Sequence, residues 1–172
     1  AAVCNSHITT LPLTTITLSG NTETGNGPVR IRSAGTLTVR CSTFSGNTGT
    51  VSGGGISING GTVTISSSTF SGNTVTIFGQ GGAIYIQAGT VTVSSSTFSA
   101  NRALEAGGGI YNDSGTLTIS SSTFSATTAT NSGGAIFNHN SGTLQISRST
   151  LTYNPATGTA EPMGRAPGAA AA

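Results

Sequence analysis

The sequence predicts an all-β chain wound into a parallel β-helix, a β-solenoid of about five to six coils with three short strands in each. Three observations predict it. A phrase running from Gly35 to Asn47 returns almost unchanged from Gly61 to Asn73, from Gly89 to Asn101 and from Gly115 to Thr127, and more loosely from Gly142 to Asn154. The starts of these phrases lie 26, 28, 26 and 27 residues apart, and a fixed period in this range marks a solenoid in which each repeat is one coil. Within each phrase polar and apolar residues alternate, the period of a half-buried strand, and no segment carries a helical period.

Residues 1–15 read as an N-terminal tail or cap, 16–154 as the repeats, and 155–172 as a Pro/Gly/Ala-rich linker or arm. A degenerate coil occupies Ile16 to Asn21. The repeat from Gly61 to Gly89 shows the plan. Thr62-Val63-Thr64-Ile65 makes a strand with Val63 and Ile65 inward. Ser68-Thr69-Phe70 makes a second with Phe70 inward. Ser71-Gly72-Asn73 turns. A variable segment follows, Gly81-Gly82 interrupts it, and Ala83 to Ile86 makes a third strand. Stacking turns each position into a column. Inward columns are Leu37/Val63/Val91/Leu117/Leu144, Val39/Ile65/Val93/Ile119/Ile146, Phe44/Phe70/Phe98/Phe124/Leu151 and Ile56/Ile84/Ile110/Ile136. Asn47, Asn73, Asn101 and Asn154 form a column suited to an amide ladder along the stack, which Thr127 interrupts.

Charged residues make up 6% of the 172-residue chain, far below the roughly 25% of ordinary soluble proteins. Lysine is absent, and a net charge of +2 on scattered arginines argues against a nucleic-acid partner. No apolar run reaches the roughly 18 residues of a membrane span. The chain opens at Ala1-Ala2, a start compatible with a processed secreted protein, and the hydroxyl-rich surface suits an extracellular or cell-surface setting. Cys4 and Cys41 are candidates for one disulfide tying the N-terminal segment to the body, or for two idle thiols; the residues leave both open.

Gly-Gly-Ala/Gly-Ile stands at Gly53 to Ile56, Gly81 to Ile84, Gly107 to Ile110 and Gly133 to Ile136. Phe-x-x-Asn stands at Phe44 to Asn47, Phe70 to Asn73 and Phe98 to Asn101. Together they resemble the repeats of chlamydial-type polymorphic outer membrane proteins and of bacterial right-handed parallel β-helix repeat proteins of cell surfaces. The resemblance implies a right-handed helix and an adhesive surface role; Phe124-Ser-Ala-Thr127 and Leu151-Thr-Tyr-Asn154 depart from the second motif.

Some right-handed β-helices cleave polysaccharides with clustered carboxylates, often aided by calcium. Here Asp113, Glu23, Glu105 and Glu161 are the only acids, and neither Glu105 nor Asp113 has a carboxylate at the matching position of a neighbouring coil. His7 and His139 match no metal or triad spacing. The expectation is no enzyme, no catalytic or metal-binding residue and no cofactor. Three outward features are candidates for recognition. Thr36, Thr38, Thr62, Thr64, Thr90, Thr92, Thr116 and Thr118 form a regular Thr-x-Thr face like that of ice-binding solenoids, though threonine is also a default exposed strand residue. Tyr85, Tyr111 and Phe137 form an outward aromatic column, either a sugar platform or a stiffening ladder. The variable segments carry Ile77, Phe78, Arg102 and Glu105 along one edge.

With no obvious cap at either end, the chain is expected to be a non-catalytic structural protein, a subunit of a cell-surface filament or adhesin that stacks end to end with copies of itself. Alternatives are an ice-binding protein working through the Thr-x-Thr face and a carbohydrate-binding module. Beyond its own copies, the expected partners are a host or neighbouring cell surface or a polysaccharide.

Overall fold

Alternating residues pair with their equivalents in the next repeat, and the chain closes into a solenoid. The computed structural model describes residues 2–5 and 9–157. Within them 23 strands form four parallel sheets, and no helix is present among the described residues. Sheet 1 runs through six strands from Val3–Asn5 to Ile136–Asn138, sheet 2 through six from Thr10–Thr14 to Thr143–Ser147, and sheet 3 through six from Thr17–Ser19 to Thr150–Thr152. Sheet 4 has five two-residue strands, from Thr22–Glu23 to Thr128–Ala129. Each coil visits the sheets in that order, which gives about six turns.

Two expectations need correction. The coil has four strands, not three. The fourth lies in what the sequence shows as a variable segment, such as Thr74–Val75, and at two residues it is too short to display any period. The solenoid also begins before residue 16. Val3–Asn5 pairs with Val29–Ile31, and Thr10–Thr14 pairs with Thr36–Arg40, so described parts of the expected tail are strands of the first coil. At the other end Ala156 bridges Ala129, which continues the course of sheet 4. The rest of the expected arm, 158–172, lies outside the described residues, as does His7.

The register of sheet 2 is unbroken: Val63 faces Leu37 and Val91, and Ile65 faces Val39 and Val93. These six side chains, with Ile56, Ile84 and Ile110 of sheet 1, are fully buried. Phe44, Phe70, Phe98 and Phe124 stack face to face with centroids 4.7, 4.8 and 4.4 Å apart, the spacing of the coils themselves. Each such side chain contributes roughly 1.5–3 kcal/mol by leaving water, so a stack is stable where one coil is not.

Two polar ladders run inside this core. Asn21, Asn47 and Asn73 each donate Nδ2 to the Oδ1 of the next asparagine, at 2.8, 2.9 and 2.9 Å. The same Oδ1 atoms accept the backbone N–H of the preceding asparagine. Thr127 breaks the series but donates its hydroxyl to Asn154 Oδ1 at 2.8 Å. The second ladder is one that sequence reading missed. Ser42, Ser68, Ser96 and Ser122 are buried, each Oγ accepting the backbone N–H of its counterpart or Ile16 one coil back and donating to a carbonyl two residues earlier. Their predecessors Cys41, Ser67, Ser95 and Ser121 all take a positive φ, 47 to 50°, which makes the corner between sheets 2 and 3.

One glycine column is imposed by the stacking. A Cβ on Gly54, Gly82 or Gly108 would collide with the carbonyl oxygen of Gly82, Gly108 or Gly134 in the following coil. This is why the second glycine of the Gly-Gly-Ala/Gly-Ile motif recurs.

Candidate functional site

The outward face of sheet 2 carries the Thr-x-Thr array in strict register. Thr36, Thr62, Thr90 and Thr116 form one row, with Thr10 before it and Thr143 after it. Thr38, Thr64, Thr92 and Thr118 form the other, which Pro12 begins and Gln145 ends. Thr62, Thr64, Thr90, Thr92 and Thr116 are exposed, while Thr36, Thr38 and Thr118 are half-buried. Strand geometry sets the rows about 6.7 Å apart and the coils about 4.8 Å apart. The result is a lattice of threonines in register over four coils. A third threonine row, Thr43, Thr69, Thr97, Thr123 and Thr150, lies on sheet 3.

The outward face of sheet 1 does not repeat. One row reads Cys4, Arg30, Ser57, Tyr85, Tyr111 and Phe137 in Cα register. Tyr85 and Tyr111 stack at 5.5 Å and 25°, and Tyr111 meets Phe137 at 5.4 Å and 41°. The aromatic column therefore exists, but Tyr111 is only 4% exposed and works as the middle of a ladder. Tyr85 and Phe137 are half-buried. Burial pushes the Tyr111 phenol up to about 12, with a smaller push from the Asp113 carboxylate; the same two causes raise Tyr85.

Beside this ladder lies a cluster that sequence reading separated. His139 Nδ1 sits 3.1 Å from Asp113 Oδ1 and 3.1 Å from the Tyr111 hydroxyl, and Asn140 Nδ2 donates to the same Asp113 oxygen. A signal was present in the sequence: Ile110-Tyr-Asn-Asp113 and Ile136-Phe-Asn-His139 occupy the same place in successive repeats. The four side chains, Tyr111, Asp113, His139 and Asn140, hold one another across two coils. His139 and Asp113 lie toward solvent, with side chains 48% and 23% exposed, and no third acid, His or Cys joins them among the described residues.

The cysteines do not meet. Both are exposed and unpaired. Cys4 sits on sheet 1 opposite Arg30, and Cys41 sits at the corner after sheet 2, so of the two alternatives the structure has free thiols and no tie within the chain. The variable edge carries an apolar patch: Val51, Ile77, Phe78 and Leu104 are 49, 53, 82 and 40% exposed. Ile77, Phe78 and Leu104 border a cleft of about 340 Å³ with Glu105, whose Oε2 accepts from Gln80 Nε2. No helix among the described residues is long and apolar enough to cross a membrane.

A family model described as a right-handed beta helix region matches residues 5–164. No curated protein and no solved structure gives a significant match.

Proposed function

This chain belongs to the right-handed β-helix family, and from that premise we propose that it is a non-catalytic structural solenoid of an extracellular or cell-surface assembly, stacking end to end with copies of itself. The fold is one that suits a structural or surface protein. The observation that carries the reading is the last described coil. Ile146 and Leu151 hold core positions yet are 40 and 44% exposed, where Ile119 and Phe124 one coil earlier are fully buried. Its strands on sheets 1 to 3 also have no following partner among the described residues. Apolar surface together with unpaired strand edges is the surface on which another coil in the same register docks, and a head-to-tail contact of that kind propagates. A stiff rod with a hydroxyl-rich, lysine-free surface is suited to an adhesin or a surface filament.

Sedimentation velocity and negative-stain imaging test this. Rods longer than one subunit should form as concentration rises, and Leu151→Lys should abolish them. A single monomeric species at the highest soluble concentration overturns the proposal.

The four-coil register of Thr36 to Thr118 supports a second reading, ice binding. It predicts thermal hysteresis, lost on Thr64→Tyr or Thr92→Tyr. No hysteresis at millimolar protein removes it.

A further inference from the structure

Sheet 1 has a second outward row beside the aromatic one. Residues that follow its strands, Arg32, Asn59, Gln87, Asp113 and His139, take matching positions, each backbone N–H bonding to the coil before. Near the N-terminal end of the two rows, one coil in from Cys4, stand Arg30 and Arg32, two residues apart on the outward face, because Val29 and Ile31 between and before them fill the core. They open onto a cleft of about 460 Å³ lined by Asn26, Arg30, Arg32, Ser33 and Asn59.

Three features of this cleft point to a ligand. Its lining holds two guanidinium groups, and among the described residues that form it none is acidic. The Arg30 Nε is buried and has no hydrogen-bond partner; a buried donor left unpaired is costly, and in native proteins such groups usually meet a ligand, an ion or water. The surrounding amides are held in place: Asn26 Nδ2 donates to Ser57 Oγ at 2.7 Å, and Asn59 Nδ2 donates to Gln87 Oε1 at 2.6 Å. Two arginines lining one cleft with asparagine and serine side chains suit an oxyanion, which guanidinium groups bind in paired, charge-assisted hydrogen bonds.

The rows then extend away from the cleft along the solenoid axis. Asn59, Tyr85 and Gln87 supply two exposed amides and a half-buried aromatic within two coils of Arg30 and Arg32, while Ser57 between Arg30 and Tyr85 is fully buried. A free ion needs only the arginines. Amides and an aromatic continuing from them fit a sugar chain, whose rings take both hydrogen bonds and a flat apolar contact. We propose that sheet 1 binds an oxyanion-bearing glycan non-covalently, with its sulfate or carboxylate group between Arg30 and Arg32 and its neighbouring sugar directed toward Tyr85. The site lies on the side face of sheet 1, one coil in from its first strand, and not on the apolar end surface of the last described coil, so it stands or falls separately from end-to-end assembly.

Titration calorimetry on the whole chain tests it with four probes: inorganic sulfate, a sulfated oligosaccharide, an oligouronate and a neutral oligosaccharide of equal length. At least one charged oligosaccharide should bind, the neutral one should not, and added salt should weaken the binding. Arg32→Gln and Arg30→Gln should each weaken it about tenfold or more. Arg148→Gln, at an exposed corner after sheet 2, should leave it unchanged. Arg32 is exposed, so its variant keeps the test decisive even if Arg30→Gln unfolds. The proposal is overturned by no binding of either charged oligosaccharide at millimolar concentration, by equal binding of the neutral one, or by unchanged binding in Arg32→Gln. Inorganic sulfate binding as tightly as the oligosaccharides reduces the cleft to an ion site and overturns the glycan assignment. Which charged oligosaccharide binds more tightly tells a sulfate ester from a uronate.

Discussion

The coil that begins at Ile84 and the coil that begins at Ile136 follow one pattern and end in different environments. In the first, Val91, Val93 and Phe98 are fully buried; in the second, Leu144 is half-buried and Ile146 and Leu151 are exposed. Backbone register is the same in both, since Leu144, Ile146 and Leu151 pair with Leu117, Ile119 and Phe124 as regularly as any interior pair. Pointing inward is thus settled within one repeat, whereas being buried takes a coil on each side. The polar columns repeat the lesson. Asn73 bonds to asparagines in both neighbouring coils, while Asn154 receives from Thr127 and donates back to the Phe124 carbonyl. The inward sheet 1 column reads Asn5, Ile31, Ile58, Ile86, Asn112 and Asn138, isoleucine in the middle coils and amide toward both ends of the described stack.

The comparison can be broken most sharply in the phenylalanine stack. Phe98→Ala removes a ring stacked on both sides and should cost about 3–5 kcal/mol in denaturant unfolding. Leu151→Ala, in the monomer, should cost less than about 1 kcal/mol. Equal costs would show that the last coil is covered in solution.

Next in size come the asparagines. Asn73→Ala orphans buried donors of Asn47 and removes the bonds Asn73 makes to Asn101 and the Phe44 carbonyl, so a loss of about 2–3 kcal/mol is expected. Asn154→Ala should cost about 1 kcal/mol. Thr127→Asn should restore the ladder and stabilise by about 1 kcal/mol, read as a higher denaturation midpoint.

Tyr111 brings in pH. Its phenol is held neutral in the fold up to about pH 12, against 10.0 in the free side chain. That preference is fully present below pH 10.0. As pH rises toward about 12, the unfolded chain ionises and the folded one does not, so stability falls. Melting temperatures across that window should drop less steeply in Tyr111→Phe than in the parent chain.

The smallest effect is expected at the corners. Ser95 holds φ at 47°, a region in which glycine is unstrained. Ser95→Gly should therefore change stability by no more than about 1 kcal/mol, with the relief of strain offset by the added entropy of the unfolded chain.

Much of this fold was legible because alternation and period are local. The columns of sheets 2 and 3 and the aromatic row of sheet 1 follow from lining up the repeats. Sheet 4 was not legible, since Thr74–Val75 and its equivalents are two residues long and have no period to read. The first coil was hidden for a different reason: Val3–Asn5 and Thr10–Thr14 lack the recurrent phrase and are recognised as strands only by their pairing with Val29–Ile31 and Thr36–Arg40. Arg30 and Arg32 looked scattered in a chain of low charge. Their outward alternation with Val29 and Ile31 was visible, but the cleft they open onto depends on Asn59 of the following coil.

By itself the sequence determined the period, the inward columns and the threonine lattice, because each depends on which way a side chain points from its own strand. The tertiary structure alone decided which of those residues are buried, that Tyr111 is enclosed between two rings, that Asp113 meets His139, and that two arginines share a cleft. These properties belong to neighbours brought together from different coils, where burial and hydrogen bonding depend on what stands above and below.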